Sequence, residues 1–339
     1  MTVIAIDVGG TGMKCAVVDE HHRVVHTERH KTGRERGPEA VVETILSVAS
    51  GLARRAEVRA VGVVVPGVID EVNGIARYSS NLGFRDVPLR DLLRQRLGIP
   101  AVLGHDVRAG GLAEARLGAG RGKAQVLVIP IGTGIAAAHV VNGAVNAGAH
   151  GAYGEIGHIV IRPGGAKCGC GLYGCLEAHA SASALERQYF EQTGEVATAA
   201  QIAAAVRTDK RAKRVWGDLI DALSDGLLTG QALYDPELVV IGGGLAESGE
   251  LLLNPLRRAF KKKATFHRVP RIVRAKLGDE AGCLGAALLA LAVGDASLGG
   301  SVAKAGRRDS SLTAVGDASL GGSVAKAGRR DSSLTEMLP

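Results

Sequence analysis

Apolar and polar positions alternate along the first part of the chain in a way that predicts strands around one helix. Apolar runs broken by glycine or polar residues indicate strands at 2–8, 13–19 and 24–29. Apolar residues at helical spacing indicate a helix at 38–55, and the continuous apolar run at 58–65 indicates a buried strand. The chain is therefore predicted to begin with a hairpin, followed by a helix and a further strand.

The same order returns further along the chain, which indicates a second α/β unit. Helix and strand patterns follow one another at 89–97, 101–103, 109–117, 126–131, 135–141, 181–193, 209–233, 237–241 and 281–293. A chain of 339 residues with 46% apolar residues is long enough to bury two cores. We predict a small lobe at 1–107, completed by a helix at about 281–293, and a larger lobe at 108–280.

Residues 292–313 and 314–335 are the same 22-residue string repeated in tandem. Two copies rich in glycine, serine, aspartate and arginine bury too little apolar surface to stack as a repeat fold. We therefore predict a disordered tail at 294–339. Truncation after Leu298 is expected to leave both activity and melting temperature unchanged.

The charge pattern does not favour a polyanionic partner. The net charge is +7, but basic residues are spread along the chain. A basic run at 257–263 coincides with an amphipathic pattern that starts near Leu251, as on the solvated face of a helix. Aromatic residues make up only 3% of the chain and do not interleave with the basic ones. We therefore expect no nucleic-acid partner.

No segment of the sequence is typical of export or of membrane insertion. The N-terminus has the pattern of a buried strand and lacks the basic start and long apolar stretch of a signal peptide. No run of about 18 apolar residues occurs, so we expect a cytoplasmic protein without a membrane partner. In that reducing setting, five cysteines, three of them within eight positions, indicate a metal site rather than disulfides.

Three strand ends run into glycine, which exposes backbone N–H groups to a phosphate. The residues concerned are Asp7, Gly9, Gly10 and Thr11 at the first turn, Gly132, Thr133 and Gly134 at the second, and Gly243 and Gly244 at the third. Taken alone, each is better explained as a plain turn. Asp7 is placed to hold Mg²⁺ or its waters, and the threonine hydroxyls can bond phosphate oxygens.

The order of these turns resembles the actin-like (ribonuclease H-like) ATPase fold, an α/β fold with two lobes around a cleft. In that fold, phosphate loops from both lobes face the nucleotide, and the third turn meets the adenosine. The resemblance implies that ATP binds in the cleft, with Gly243 and Gly244 against the nucleoside.

Cys168, Cys170 and Cys175 lie on a short glycine-rich stretch, and His158 lies ten residues before the first of them. Three thiolates and an imidazole complete a tetrahedral zinc shell without an open position, so the ion is expected to be structural. The alternative is three buried free cysteines, but the glycines beside them make a poor core. We predict a structural zinc knuckle in the larger lobe.

The motif GEIGH at 154–158 and the motif CGCGLYGCLE at 168–177 resemble those of the ROK family of repressors, ORFs and sugar kinases. The resemblance covers about residues 2–293. Its members are kinases for glucose, fructose, N-acetylglucosamine or N-acetylmannosamine, or sugar-responsive repressors with an added N-terminal helix-turn-helix. Because the chain begins on its first predicted strand, we expect a kinase. The resemblance also implies a homodimer or homotetramer.

Asp106 follows a predicted strand and opens the next helix, a position that suits either a catalytic base or a helix N-cap. The ROK resemblance implies that it is the base. The sugar-binding residues it implies are Gly67, Asn81, His105, Asp106, Glu155, His158 and Glu177. For Glu155 and Glu177 the alternative is helix-end capping or exposed charge. His158 would join zinc and sugar through its two ring nitrogens.

Two departures from the family pattern bear on the choice of sugar. Residues 104–108 read Gly-His-Asp-Val-Arg where the family has Glu-Asn-Asp-Ala-Asn, so His105 replaces an amide that touches the sugar, and Tyr153 stands where a small residue is usual. We expect phosphorylation of glucose at the 6-hydroxyl with ATP, Mg²⁺ and the structural Zn²⁺. An N-acetylhexosamine kinase or a fructokinase is the alternative within the family. A sugar sensor without catalysis is the alternative from another class.

Overall fold

The computed structural model describes residues 1–298 of the chain, with side chains described through Asp295. Most of the predicted tail at 294–339 therefore lies outside the described residues. The last described helix continues to Leu298, beyond the residue at which the tail was predicted to begin. Among the described helices, none combines the length and the apolar character needed to cross a membrane.

The described strands and helices include those that the apolar pattern predicts, together with short elements that it does not. The strands are β1 (Thr2–Val8), β2 (Gly12–Asp19), β3 (Val24–Lys31), β4 (Val58–Val65), β5 (Val68–Asp70), β6 (Ile75–Ser79), β7 (Phe84–Val87), β8 (Ala101–His105), β9 (Gln125–Pro130), β10 (Ala138–Val141), β11 (Ala144–Val145), β12 (Leu238–Gly242) and β13 (Arg271–Arg274). The helices are α1 (Pro38–Ala53), α2 (Leu89–Leu97), α3 (Asp106–Arg116), α4 (Leu176–Ala180), α5 (Ala182–Thr193), α6 (Ala199–Ala205), α7 (Lys210–Tyr234), α8 (Glu250–Lys263) and α9 (Ala281–Leu298).

Two five-stranded sheets repeat one arrangement, in which a hairpin is extended by parallel strands. The first has the order β3-β2-β1-β4-β8, with β1 antiparallel to β2 and parallel to β4. The second has the order β11-β10-β9-β12-β13, with β9 antiparallel to β10 and parallel to β12. This repetition confirms the predicted α/β fold of actin-like type. The predicted lobe limits at 107 and 280 stay predictions.

Helix α9 comes last in the described chain, yet it packs on the first sheet. Val3 of β1 and Val64 of β4 form one apolar cluster with Ala286 and Ala290 of α9. Gly62 of β4 permits this close approach, because a Cβ at that position would collide with the carbonyl oxygen of Ala286. Helices α1 and α2 cover the opposite face of the same sheet.

The second sheet is covered by α7 on one face and by α3 on the other. Leu219 and Leu223 of α7 pack with Leu127 of β9 in the largest apolar cluster. On the opposite face, Ala115 of α3 packs against Val128 of β9. The helix that begins at Asp106 therefore runs along the second sheet while its first residue adjoins the end of the first sheet.

Three local features differ from the sequence prediction. Helix α3 begins at Asp106 instead of 109, because β8 continues to His105 and the His105 side chain caps the helix. The strand predicted at 135–141 is shorter, because Ala137 instead donates its N–H to the Gly154 carbonyl at 2.7 Å. The small antiparallel sheet β5-β6-β7 was not predicted at all.

Candidate active site

A cleft of about 570 Å³ opens at the carboxyl ends of the central strands of both sheets. Ligands of open α/β sheets are typically bound at these strand ends. The predicted site residues that line this cleft are Gly67, His105, Asp106, Gly132, Gly134, Glu155, His158, Glu177 and Gly243. Residues from distant parts of the sequence thus meet around one space.

Asp106 begins α3 and lines both the cleft and a second space, the inner cavity, of about 200 Å³. The inner cavity is also lined by Asp7, Lys14, Glu114 and Asp279. Burial raises the pKa of Asp106, while the Val107 N–H and the Arg108 guanidinium oppose that rise. Asp106 is therefore a partly shielded carboxyl that connects the two spaces.

His105, and not Asp106, is the N-cap residue of α3. Its Nδ1 lies 3.4 Å from the Arg108 N–H and 3.4 Å from Asp106 Oδ1. Burial, helped by Arg108, lowers the pKa of His105 to about 4. The ring that replaces the family's amide is thus neutral at pH 7.

Glu71 and Arg108 form an ion pair beside the base that the sequence analysis did not include among the site residues. Glu71 Oε1 accepts hydrogen bonds from Arg108 Nε at 3.1 Å and Nη2 at 3.0 Å. Arg108 Nη1 donates to the Gly151 carbonyl at 2.8 Å. The departure from the family's asparagine at position 108 was the only sequence signal for this pair.

Asp7 lies at the end of β1 and faces the inner cavity. Burial raises its pKa to about 6, the negative charges of Asp106 and Asp279 add to the rise, and the Lys14 ammonium opposes it. Lys14 itself donates to the Asp279 carbonyl at 2.9 Å and pairs with the Asp279 carboxylate. Asp7 thus faces the cavity, and burial and neighbouring carboxylates disfavour its negative charge. A divalent cation would compensate that charge.

Two hydrogen bonds from Thr32 hold the first glycine turn in place. Thr32 is a buried residue that the sequence analysis missed. The Thr32 hydroxyl donates to the Gly9 carbonyl at 2.7 Å, and its N–H donates to the Thr11 carbonyl at 3.1 Å. Asn81 lies beside this turn, since a Cβ at Gly10 would be 3.6 Å from that of Asn81. Asn81 is exposed and is not among the residues that line the cleft.

The second and third turns meet at the edge of the cleft. A Cβ at Gly243, where φ is +76°, would collide with the backbone of Ile131, which immediately precedes the second turn. Gly132 and Gly134 face the cleft, whereas Thr133 and Gly244 are exposed residues outside its lining. The close approach of the two turns therefore depends on glycine at position 243.

Glu155 and Glu177 place two further carboxylates in the lining of the cleft. Glu155 caps no backbone group by its side chain, and burial raises its pKa against the lowering effect of His158. Glu177 Oε2 accepts the Ile135 N–H at 2.9 Å, which ties it to the second glycine turn. Neither side chain accepts a hydrogen bond from the end of its own helix, although Glu177 does lie in the first turn of α4.

Tyr153 turns away from the cleft. Its hydroxyl lies 3.3 Å from His139 Nδ1, and its ring packs at 5.5 Å from that of Tyr234. His139 Nε2 lies 3.1 Å from Gln125 Oε1, so the hydroxyl donates to Nδ1 when Nε2 carries the proton. Tyr153 thus braces the loop before Glu155 from behind and does not line the cleft.

His158, Cys168, Cys170 and Cys175 bring four ligand atoms within 4.8 Å of one another. Cys170 Sγ lies 3.7 Å from Cys175 Sγ, and Cys168 Sγ lies 3.6 Å from His158 Nδ1. A tetrahedral zinc ion with Zn–S bonds of about 2.3 Å would set its sulfur ligands roughly 3.8 Å apart. The cluster therefore fits a zinc ion, and Cys170 is exposed, unlike a core cysteine.

His158 has a different neighbour on each ring nitrogen. Nδ1 faces the cysteine cluster, while Nε2 lies 3.9 Å from Glu155 Oε2 on the side of the cleft. One ring thus adjoins both the cluster and the cleft, and its predicted role as a ligand of zinc and sugar stays a prediction.

Known proteins resemble this chain over nearly all of the described residues. The family model described as ROK family matches residues 3–293. The chain is similar to a glucokinase from Thermotoga maritima, at 35% identity over 309 residues that cover 85% of this chain and 96% of that protein. It is also similar to the solved ROK hexokinase of Thermus thermophilus, at 36% identity and a TM-score of 0.76, covering 87% of this chain and all of that one.

A third relative was solved with ligands. It is a ROK family glucokinase from Streptomyces griseus in complex with glucose and AMPPNP, with 32% identity and a TM-score of 0.75, covering 86% of this chain and 99% of that one. These relatives support sugar kinase activity and the use of ATP. The match to the family model and the shared fold lead to one conclusion, that the chain belongs to the ROK family.

Proposed function

We propose that the protein is an ATP-dependent hexose kinase that phosphorylates glucose at the 6-hydroxyl in the cytoplasm. The observation that carries this proposal is the position of Asp106, which lines both the cleft of Glu155, His158 and Glu177 and the inner cavity of Asp7. A base for phosphoryl transfer must reach the acceptor hydroxyl and lie near the transferred phosphoryl group. Val107, Pro130 and Gly243 also line both spaces, but Asp106 alone of these four carries a side chain that can accept a proton.

In this proposal the sugar lies in the cleft, and its hydroxyls bond Glu155, Glu177 and Nε2 of His158 and His105. Gly67 gives the sugar close access to the backbone, and Asn81 approaches it from the turn between β6 and β7. Asp106 accepts the 6-hydroxyl proton as the oxygen attacks the γ-phosphorus, and the bond from that phosphorus to the β,γ-bridging oxygen breaks. ADP and a sugar phosphate result.

The glycine turns bind ATP in this proposal. N–H groups at Gly9, Gly10, Gly132 and Gly134 and the hydroxyls of Thr11 and Thr133 bond the phosphates, and Gly243 with Gly244 contacts the nucleoside. Asp7 would hold Mg²⁺ or its waters. When bound, that ion neutralises charge on the phosphates.

Two alternatives follow from His105 and Arg108, which replace the family's two asparagines. A neutral imidazole in place of an amide changes the hydrogen bonds offered to the sugar, which can shift the acceptor toward an N-acetylhexosamine or fructose. The same departures motivate a sensor that binds sugar without turnover. The family resemblance further leads us to propose a homodimer or homotetramer, which light scattering in solution would test.

A screen of hexoses with ATP and Mg²⁺, read by coupled ADP release, tests the proposal. We expect the highest kcat/KM for glucose. A screen in which glucose is inert and N-acetylmannosamine is turned over would overturn the choice of acceptor. Sugar binding by calorimetry without ADP release from any hexose would favour the sensor.

A further inference from the structure

Arg108 is a buried cation at a point where three separate parts of the chain meet. Only 4% of its side-chain surface is exposed, and it lies two residues after Asp106 on α3. Burying a guanidinium is costly unless its N–H groups are paired and its charge is compensated. Here Nε and Nη2 bond Glu71 and Nη1 bonds the Gly151 carbonyl, so all three nitrogens are used.

Glu71 completes the connection on the opposite side. It directly follows β5, and its Oε1 accepts the His105 N–H at 3.1 Å in addition to the two Arg108 bonds. A single carboxylate oxygen thus joins the small sheet, the end of β8 and the first turn of α3. This fixes the backbone that carries His105 and Asp106.

A further hydrogen bond of Arg108 reaches the loop that precedes Glu155. Gly151 has φ of +72°, and a Cβ there would lie 2.7 Å from the Ile69 carbonyl oxygen, so the loop lies directly on β5. The bond from Arg108 to the Gly151 carbonyl holds the loop at this distance. Gly151 and Ala152 line the cleft together with Glu155.

We propose that Glu71 and Arg108 form a positioning clamp that sets the distance between Asp106 and the Gly151–Glu155 wall, and with it the affinity for the sugar. This inference rests on the proposed function and names two residues that act through others. Among the described residues, the hydrogen bonds of this pair reach the wall at Gly151 and the N–H of His105, next to the base, and none reaches a glycine turn. Loss of the clamp should therefore affect the sugar far more than ATP.

Arg108 also has an electrostatic effect that distinguishes a clamp from a merely structural bond. Its charge opposes the rise that burial causes in the pKa of Asp106. The other charged or titratable groups around Asp106 are His105, whose Nδ1 lies 3.4 Å from Asp106 Oδ1, then Asp7, Lys14, Glu114 and Asp279 around the inner cavity, and Glu155, His158 and Glu177 around the cleft. Because a base must be ionised to act, removing the Arg108 charge should move the acidic limb of the kcat/KM profile to higher pH.

The test compares Arg108→Met and Glu71→Gln with Arg116→Met, which removes an exposed arginine from the same helix that bonds only the Gly143 carbonyl. We expect Arg108→Met to raise the KM for glucose by about 10- to 100-fold, as small misplacements in a site do, while the KM for ATP changes less than twofold. Glu71→Gln should raise the KM for glucose without moving the acidic limb upward. Arg116→Met should match the wild type.

Folding is checked by circular dichroism and by the melting temperature of each variant. About a third of the Glu71 side chain is exposed, so water can solvate its carboxylate when Arg108 is removed. Arg108→Lys gives a second variant. It keeps the positive charge but loses the planar guanidinium that bonds Glu71 and Gly151 at the same time. It should keep the acidic limb and still raise the KM for glucose.

Parallel increases in the KM for glucose and for ATP, or an unchanged KM for glucose in both Arg108→Met and Glu71→Gln, would overturn the clamp. If the wild type releases no ADP with any hexose, the proposed kinase fails while the clamp is still tested. In that case calorimetry with glucose should show weaker binding to Glu71→Gln than to wild type, and equal affinities or no binding at all would overturn it.

Discussion

Asp7 and Asp106 face one cavity from different elements, and the charge of Asp106 adds to burial in raising the pKa of Asp7 to about 6. Two carboxylates that share a buried space resist simultaneous ionisation. A divalent cation reverses this effect, because it favours the ionised form of both. The arrangement costs stability without the cation and suits a site that binds one together with phosphates.

Asp7→Asn is expected to stabilise the protein without ligands above pH 6 and to abolish Mg²⁺-dependent turnover. The folded state binds the Asp7 proton more tightly than the unfolded state, so Asp7 lowers stability as pH rises from 4 to 6, and the full penalty applies above 6. At 1.36 kcal/mol per pKa unit, the gain at pH 8 is at most about 3 kcal/mol. Thermal melting at pH 5 and pH 8 measures it. An equal gain at both values would contradict this explanation.

Asp106→Asn is expected to lower kcat by about 10²- to 10⁴-fold, the range attributed to a general base. The amide keeps the size and the hydrogen-bonding position of the carboxylate, so glucose affinity should change only a few-fold. ADP release and calorimetry separate the two effects. Asp218→Asn, on the exposed face of α7, is the matched control. Retained turnover in Asp106→Asn would refute its role.

The parts of the fold that the sequence predicted depend on local periodicity. The hairpin of β1 and β2, the buried strand β4 and the helix α7 follow from apolar spacing within each segment. The four residues of the cysteine cluster could also be predicted from a short segment, because all four lie within 18 positions of the sequence. Short-range patterns of this kind need no knowledge of the rest of the chain.

The parts that the sequence did not predict depend on contacts between distant residues. Strand β5 has three residues and the small sheet exists only through its pairing with β6 and β7, so no periodic pattern marks it. Glu71 and Arg108 are 37 positions apart, and nothing in either neighbourhood indicates the other. Asn81, which the family resemblance implies as a sugar ligand, is exposed and does not line the cleft, so its role stays a prediction.

Gly62→Ala is expected to destabilise the protein by about 1–3 kcal/mol, as overpacking of a core does. The added methyl group would collide with the Ala286 carbonyl and push α9 away from the first sheet. Gly217→Ala is the matched control, because that exposed position in α7 has open space and the helix should gain up to about 1 kcal/mol. Urea denaturation measures both. A neutral Gly62→Ala would show that α9 can shift at no cost.

Removal of zinc is expected to lower both the melting temperature and the affinity for glucose. His158 joins the two properties, because its Nδ1 faces the cysteines while its Nε2 faces Glu155 in the cleft. Without the ion the ring loses its orientation, and the wall that carries Glu155 and Glu177 loosens with it. Metal content, thermal melting and calorimetry with glucose are measured before and after chelation.

Cys170→Ser provides the matched variant, because Cys170 is the exposed ligand and lies outside the cleft lining. It should lower zinc content and glucose affinity together, and added zinc should restore both in the chelated wild type. If chelation lowers the melting temperature but leaves glucose affinity intact, then the cluster only braces its loop. In that case the orientation of His158 in the cleft would depend on the surrounding backbone and not on the metal.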